Sequence, residues 1–407
     1  MHILFVTTYF DPDQGATSLL LSRLARQLHG RGHQITVLTT LPHYPLGRIQ
    51  DGYRGQFIVT EDRNGIRVIQ TWLWATPSPR ISRKFVSQIS FMVTASLRGL
   101  SIPRPDVVLI EAQPVFTNLA GVFLSRLKRV PYILNISDLW PDHLLTVGAM
   151  TELHPVYRTA RWLVDGTYRG AAGIVAASPA WAETIQKYIG STDKIRVIYY
   201  GTDVERLRPG LDAAAFRQKY QLGEGKLVTF IGTFATQYDF GAMLDAASRM
   251  REREDVRFLF MGGGSQSEAI RRRLAQGDLP NVQCFDWIDY AEIPSAWAAS
   301  HVTYWALRDQ ALYRGTIPAK LYEAMASGVP IAAAAEGVAA NLIQEAGAGI
   351  TVPFGDVAGL VSGIERLLDD AELYRKMSLS GRAYAERYFA YDRTAAAYED
   401  ALLAVAR

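Results

Sequence analysis

The sequence predicts an α/β protein made of two Rossmann-like, doubly wound domains facing across a cleft. Three observations predict it. Short apolar runs alternate with stretches whose leucines and alanines recur at helical spacing, the pattern of β-α-β units in parallel sheets. Two apolar runs pass straight into glycine, at Gly232 and at Gly262-Gly-Gly264, as strands do where they turn into helices. The 407 residues exceed one ordinary core and suit two.

Hydrophobic residues make up 49% of the chain and charged residues 20%, a globular rather than a disordered composition. The net charge of +3 is small for this length and does not mark a nucleic-acid binder. Cys284 stands alone, which excludes an intrachain disulfide and a cysteine-rich zinc site and suits a reducing cytosol. The opening residues read as a first strand, not a signal peptide. No apolar run reaches the ~18–20 residues a membrane span needs.

In the first half, residues 2–7 form a strand, 16–29 a helix and 35–39 a second strand. Further strands fall at 67–71, 106–110, 132–136, 173–177 and 195–199. The loop between the first strand and helix carries Asp11, Asp13 and Gly15. The two acids have paired-carboxylate spacing, but no histidine or third acid lies near, so a metal is not expected. A solvated loop is one reading. An acceptor-hydroxyl role for Asp13 is the other, because strand ends face the ligand in such sheets. Gly15 either lets the loop approach a ligand or makes a plain turn.

One segment departs from the sheet pattern. Trp72 and Trp74 precede Pro77 and Pro79, and Arg83 and Lys84 lead into Phe85, Ile89, Met92, Val93 and Leu97. Tryptophans, basic ends and helical apolar spacing suit a helix lying in a lipid headgroup layer. A core-packing helix with exposed arginines has the same spacing. Further on, Asp138-Leu-Trp-Pro-Asp142 follows a strand. Either Asp138 and Asp142 bind sugar hydroxyls beside Trp140, or Asp142 caps the next helix and Trp140 is core.

The chain crosses between domains near 200–210. Domain boundaries are expected at 1–203, with 389–407 packing back as a last helix, and at 204–388. Strands at 226–231, 258–261, 282–285, 301–305, 329–333 and 347–352 form the second sheet, with helices at 213–220, 240–250 and two within 355–388. Glycines after the second-domain strands (Gly232-Thr233, and Gly263 within its triplet) bring amides near a phosphate. The triplet is hard to explain by packing. Backbone at Trp287 and Ile288 can pair with a base edge. The central stretch is Thr316-Ile-Pro-Ala-Lys-Leu-Tyr-Glu323. Thr316 is expected to cap a helix with Pro318 in its first turn. Lys320 and Glu323 share one face. This is either a surface helix with an ion pair, or an anion site with a ribose-binding carboxylate one turn deeper.

In this order and spacing, the chain resembles the retaining family-four glycosyltransferases of the GT-B fold. The likeness rests on Asp13-Gln-Gly-Ala16, Gly32-His-Gln-Ile-Thr-Val-Leu-Thr39, Pro42-His-Tyr-Pro-Leu-Gly47, Asp138-Leu-Trp-Pro-Asp142 and Lys194-Ile-Arg-Val-Ile-Tyr-Tyr-Gly-Thr-Asp203. In the second half it rests on Met261-Gly-Gly-Gly264, Asn281-Val-Gln-Cys-Phe285 and the Pro318-x-Lys320-x-x-Glu323 stretch. These look like the branch that builds O-antigen and exopolysaccharide, fucosamine-transferase-like members included. The resemblance implies a UDP-class nucleotide-diphosphate sugar as donor, a lipid-linked saccharide as acceptor, and a cytoplasmic site peripheral to the membrane. It implies no metal or other cofactor. Glu323 matches the second glutamate of the family's Glu-seven-residues-Glu motif, which binds the donor ribose, and Gly315 stands where the first would be. Lys320 with Arg314 or Arg308 then faces the diphosphate, and Asp13, Asp138 or Asp142 orients the acceptor. An epimerase, a phosphorylase or a non-catalytic nucleotide-sugar binder on the same architecture are the rival readings.

Overall fold

A computed structural model describes residues 1–406 apart from Gln14, Pro79, Val147 and Ala149. Gln14 of the first loop motif, Pro79 before the basic segment, and position 407 of the expected last helix lie outside the described residues. The chain divides into two compact units, Met1–Tyr200 with Tyr391–Arg407, and Gly201–Ala390.

The first unit runs β1 His2–Val6, α1 Ala16–Gly30, β2 Gln34–Thr40, β3 Ile58–Arg63, β4 Ile66–Thr71, α2 Ile81–Gly99 and β5 Val107–Glu111. It continues with α3 Val115–Lys128, β6 Tyr132–Ile136, α4 His143–Thr146, α5 Pro155–Gly170, β7 Gly173–Ala176, α6 Pro179–Ile189 and β8 Ile195–Val197. The strands order as β3-β4-β2-β1-β5-β6-β7-β8, all parallel except the β3–β4 hairpin. Alternate side chains of each strand point to opposite faces. Phe5, Val37, Leu109 and Ile133 meet Leu21, Leu24 and Leu28 of α1 on one face. On the other face Ile110 lies under Gly121 of α3, and the Tyr132 hydroxyl donates to the Thr167 carbonyl of α5 at 2.7 Å. The Thr94 hydroxyl of α2 bonds Thr71 and Trp72 there too. Thus α2, α3 and α5 lie side by side on that face.

β3 is absent from the sequence expectation. It is an edge strand with every residue exposed or half-exposed, so it lacks the apolar run that marks its neighbours. The readable signal was its turn. Asn64 and Gly65 both have positive φ, 55° and 84°, as the first-choice two-residue hairpin turn requires.

The second unit runs α7 Ala214–Lys219, β9 Lys226–Ile231, α8 Phe240–Arg249, β10 Val256–Met261, α9 Ser267–Leu274, β11 Val282–Phe285, α10 Ile293–Ala299 and β12 Val302–Ala306. Then come α11 Ala319–Ala326, β13 Ile331–Ala334, α12 Val338–Glu345, β14 Gly349–Val352, α13 Val357–Asp369 and α14 Ala371–Tyr388. Its sheet is wholly parallel, in the order β11-β10-β9-β12-β13-β14. The order reverses between β9 and β12, and the crevice beyond the strand ends at such a point is where ligands bind in these sheets. Phe230, Phe234, Tyr238, Phe240 and Phe260 pack there edge to face and tilted, ring centroids 4.9–6.1 Å apart.

The last helix, α15 Tyr391–Val405, returns to the first unit. Tyr398 and Leu402 enter the α1 side of its core, and the Tyr398 hydroxyl donates to Asn135 Oδ1 at 2.6 Å.

Candidate active site

The helix of the central stretch starts later than expected. α11 begins at Ala319, with buried Pro318 at its N-cap and no side-chain cap. Thr316 instead closes a short 3-10 turn, Ala311–Gly315. Pro318 sets this limit, because its ring disfavours helical backbone at the residue before it. Lys320 therefore lies in the first turn of the helix.

Lys320 is 5% exposed, and its Nζ has no hydrogen-bond partner among the described residues. It stands 3.0 Å from the Phe230 ring centre and 4.2 Å from that of Tyr238. Gly232 at the end of β9 lies against it, since a Cβ there would come 3.6 Å from Nζ. Burial pushes the Lys320 ammonium well below the usual lysine range, opposed in part by the Glu323 charge. Glu323, one turn on and half-buried, accepts the indole N–H of buried Trp297 at 3.0 Å. Lys320 and Glu323 are thus brought together, but not as a surface ion pair.

The glycine loops converge on the same place, and here packing explains what the sequence left open. A Cβ on Gly262 would meet the Gly232 carbonyl oxygen at 1.9 Å, and one on Gly264 would meet that of Phe234 at 2.7 Å. The turns after β9 and β10 cross in contact. A Cβ on Gly263 would meet the Trp287 indole nitrogen at 2.6 Å, so Trp287, itself exposed, lies over this loop with half-buried Ile288 next to it. The expectation that the Gly232 amide serves a phosphate is corrected: it donates to the Met261 carbonyl at 2.9 Å. Thr233 is exposed. Arg314 is held between Asp309 and Glu336, so its charge is already compensated. Arg308, exposed and in no ion pair among the described residues, rests its Nε on the Tyr238 carbonyl at 3.3 Å.

In the first unit Asp13 is buried. Its Oδ1 accepts the amides of His43 and Tyr44, both at 2.8 Å. Burial pushes its carboxyl up to about 7 despite those two bonds. His43, buried beside it, falls to about 4 for the same reason and is neutral. Asp13 thus pins the loop after β2 to the loop after β1. Gly15 is extended, with φ near 180°, a conformation open to any residue. What it admits is the Tyr44 ring, 3.0 Å from where a Cβ would stand.

Asp138 accepts its neighbour's amide, Leu139, at 2.9 Å. Asp142 stands directly before α4 and is largely buried, its side chain 15% exposed. It takes the hydroxyls of Tyr157 at 2.6 Å and Tyr188 at 3.1 Å, and the Arg161 guanidinium at 3.1 Å, which ties the turn to α5 and α6. Sequence reasoning missed Glu111, fully buried at the end of β5. It accepts Asn135 Nδ2 and, at 2.7 Å, the Ser137 hydroxyl next to Asp138, and burial pushes it up to about 7. An acid closing an apolar strand run was the available signal. Phe230 and Tyr238 gave none, because they read as core.

The α2 segment divides into an inward and an outward row. Its buried row is Ser87, Phe91, Ala95 and Gly99. Trp72 stacks on Phe57 at 5.7 Å, Phe85 packs on Phe116 at 5.9 Å, and Met92 is half-buried. Trp74, Arg83, Lys84 and Ile89 are exposed, and so are Val93 and Leu97.

Each unit corresponds to a known domain. A family model described as "Glycosyl transferase 4-like domain" matches residues 16–201, and one described as "Glycosyl transferases group 1" matches residues 225–370. The chain belongs to the group 1, GT4-like glycosyltransferases of the GT-B fold. It is 21% identical over 406 residues to WcaI of Escherichia coli, named for glycosyl transfer in colanic acid biosynthesis, with 95% of this chain and 96% of that one covered. It is 24% identical over 391 residues to a D-inositol 3-phosphate glycosyltransferase of Corynebacterium diphtheriae, covering 92% and 87%. Among solved structures, sucrose-phosphate synthase of Thermosynechococcus elongatus aligns with TM-score 0.78 and 19% identity over 98% of this chain and 97% of that one. Anabaena HepE in complex with UDP-glucose aligns with TM-score 0.72 and 16% identity over 99% and 100%.

Proposed function

We propose that this glycosyltransferase moves a sugar from a UDP-class nucleotide diphosphate to a hydroxyl of a lipid-linked saccharide, with retained anomeric configuration and without a metal, in cell-surface polysaccharide synthesis. The observation that carries the reading is Lys320. A buried ammonium with no hydrogen-bond partner among the described residues, in the first turn of a helix at the sheet's switch point, is suited to hold an anion. The diphosphate lies against Lys320 and the amides opening α11, with Arg308 reaching it from the loop after β12. Glu323, fixed by Trp297, binds the ribose hydroxyls. Trp287 covers the base end. As the glycosidic C–O bond breaks, negative charge gathers on the leaving diphosphate, and these donors are already aimed at it. The acceptor hydroxyl attacks the same face, and its proton passes to the departing phosphate. The UDP-glucose complex of the HepE relative and the colanic acid name of WcaI support this donor and pathway class.

Binding is tested with a thermal-shift panel of UDP-, GDP-, ADP- and TDP-sugars. A bound donor at about a hundred times its dissociation constant stabilises by ~2.7 kcal/mol. Near-wild-type transfer by both Lys320→Ala and Glu323→Ala overturns the site.

A further inference from the structure

We propose that the outer faces of α2, α3 and α5 form one docking surface for an anionic lipid layer. The proposal deepens the lipid-acceptor part of the reading above and does not depend on the donor site. The three helices lie side by side on one face of the first unit's sheet, joined where Gly99 of α2 meets Leu124 of α3. Each presents large apolar side chains to solvent: Val93 and Leu97 on α2, Phe123 and Leu127 on α3, and Trp162, 70% exposed, on α5. On α2 and α3 these recur four apart, so each pair forms a single outward row. Trp162 sits between Arg158 and Arg169 on its own row, as indole and guanidinium do at a headgroup boundary.

Charge selects the partner. Over these three helices the sequence has eight lysines and arginines and one acid, and that acid, Asp165, is bound by Arg161 at 2.7 Å. The opposite face is balanced instead, since α1 and α15 there carry Arg23, Arg26 and Arg393 against Asp392, Glu399 and Asp400. A second copy of this chain would bring like charges together in an isologous dimer, which disfavours self-association. A layer of anionic headgroups is complementary, with acyl chains below for the apolar rows. At the edge of α2 a groove of about 400 Å³ opens between Val93, Leu97, Phe57 and Trp72. The hydroxyls of Ser90 and Thr94 that border it already donate to backbone carbonyls, so the groove suits an apolar chain.

The test is flotation of the intact protein with vesicles of phosphatidylglycerol in phosphatidylcholine, and with phosphatidylcholine alone. The expected result is binding to the anionic vesicles only, weakened by salt, and lost about tenfold or more both in Phe123→Glu/Trp162→Glu and in Arg126→Glu/Arg158→Glu. Unchanged melting and UDP binding of both variants show that fold and donor site are intact. Absence of flotation, equal binding to neutral vesicles, or variants that float like the wild type overturn the proposal. So does a wild-type dimer in sedimentation that these substitutions disperse. Failure of UDP to bind the wild type strikes the donor reading instead and leaves the docking face standing.

Discussion

An ammonium enclosed by Phe230 and Tyr238, with no hydrogen-bond partner among the described residues, costs stability, because burial removes its hydration. The ordinary lysine value is 10.5, and that of Lys320 lies well below it. Between the two, the unfolded chain holds the proton that the folded chain has released, so this residue's contribution to stability rises with pH. Lys320→Met is expected to raise the melting temperature at neutral pH, corresponding to roughly 1–3 kcal/mol, while transfer falls about 10²–10³-fold. A melt and an initial-rate assay read the two opposite effects. A bound diphosphate favours the charged form of this lysine. UDP affinity is then expected to weaken as pH rises, with proton uptake visible by calorimetry in buffers of different ionisation heat. Asp13 works in the opposite sense. Its folded value of about 7 stands above the ordinary 3.8, so its contribution to stability is present in acid and is lost as pH rises through that window. Asp13→Asn keeps an oxygen for both amides, and it is expected to gain on the wild type from pH 5 to pH 8. Asp13→Ala loses roughly 1–3 kcal/mol per orphaned amide. Urea melts at both pH values check this.

Among the elements, helical spacing gave the existence of α1, α2 and α8 but not the side each one buries. In α2 two apolar rows run along the same helix. Only the contact with α3 and the sheet decides that Phe91 and Ala95 go in and Val93 and Leu97 stay out. The start of α11 was misread because Thr316 fits a cap by type, while Pro318 shifts the boundary to itself. The glycine triplet shows the same limit. Its residue type announced a close approach, but not that the approaching group is the neighbouring turn. Gly262→Ala places a Cβ 1.9 Å from the Gly232 carbonyl oxygen at a φ of +147°. It is expected to cost roughly 3 kcal/mol or more and to weaken UDP binding through displaced Gly232, as chemical denaturation and calorimetry will read.

At the scale of the whole molecule, the chain leaves its first unit near residue 200 and returns to it at 391, so the first core is completed by α15. Tyr398 and Leu402 cover Leu24 and Leu28, and Tyr398 satisfies Asn135 within the Glu111 network. Removing residues 391–407 is expected to leave the first unit without a cooperative melt and with exposed apolar surface, measured by calorimetry and by binding of a hydrophobic dye. The second unit should keep its own transition, since its core lies within 201–390.

The sequence by itself determined the α/β class, the order of the parallel strands along the chain, and the Lys320–Glu323 pair, because backbone periodicity, turn residues and helix spacing are short-range properties. Tertiary structure alone decided that Lys320 is buried on aromatic rings, that Asp142 is tied to Arg161 while Arg308 is in no ion pair among the described residues, and that the outward rows of three helices form one basic, apolar face. Those outcomes depend on which groups lose water to which neighbours, and the neighbours come from strands and helices up to hundreds of residues apart.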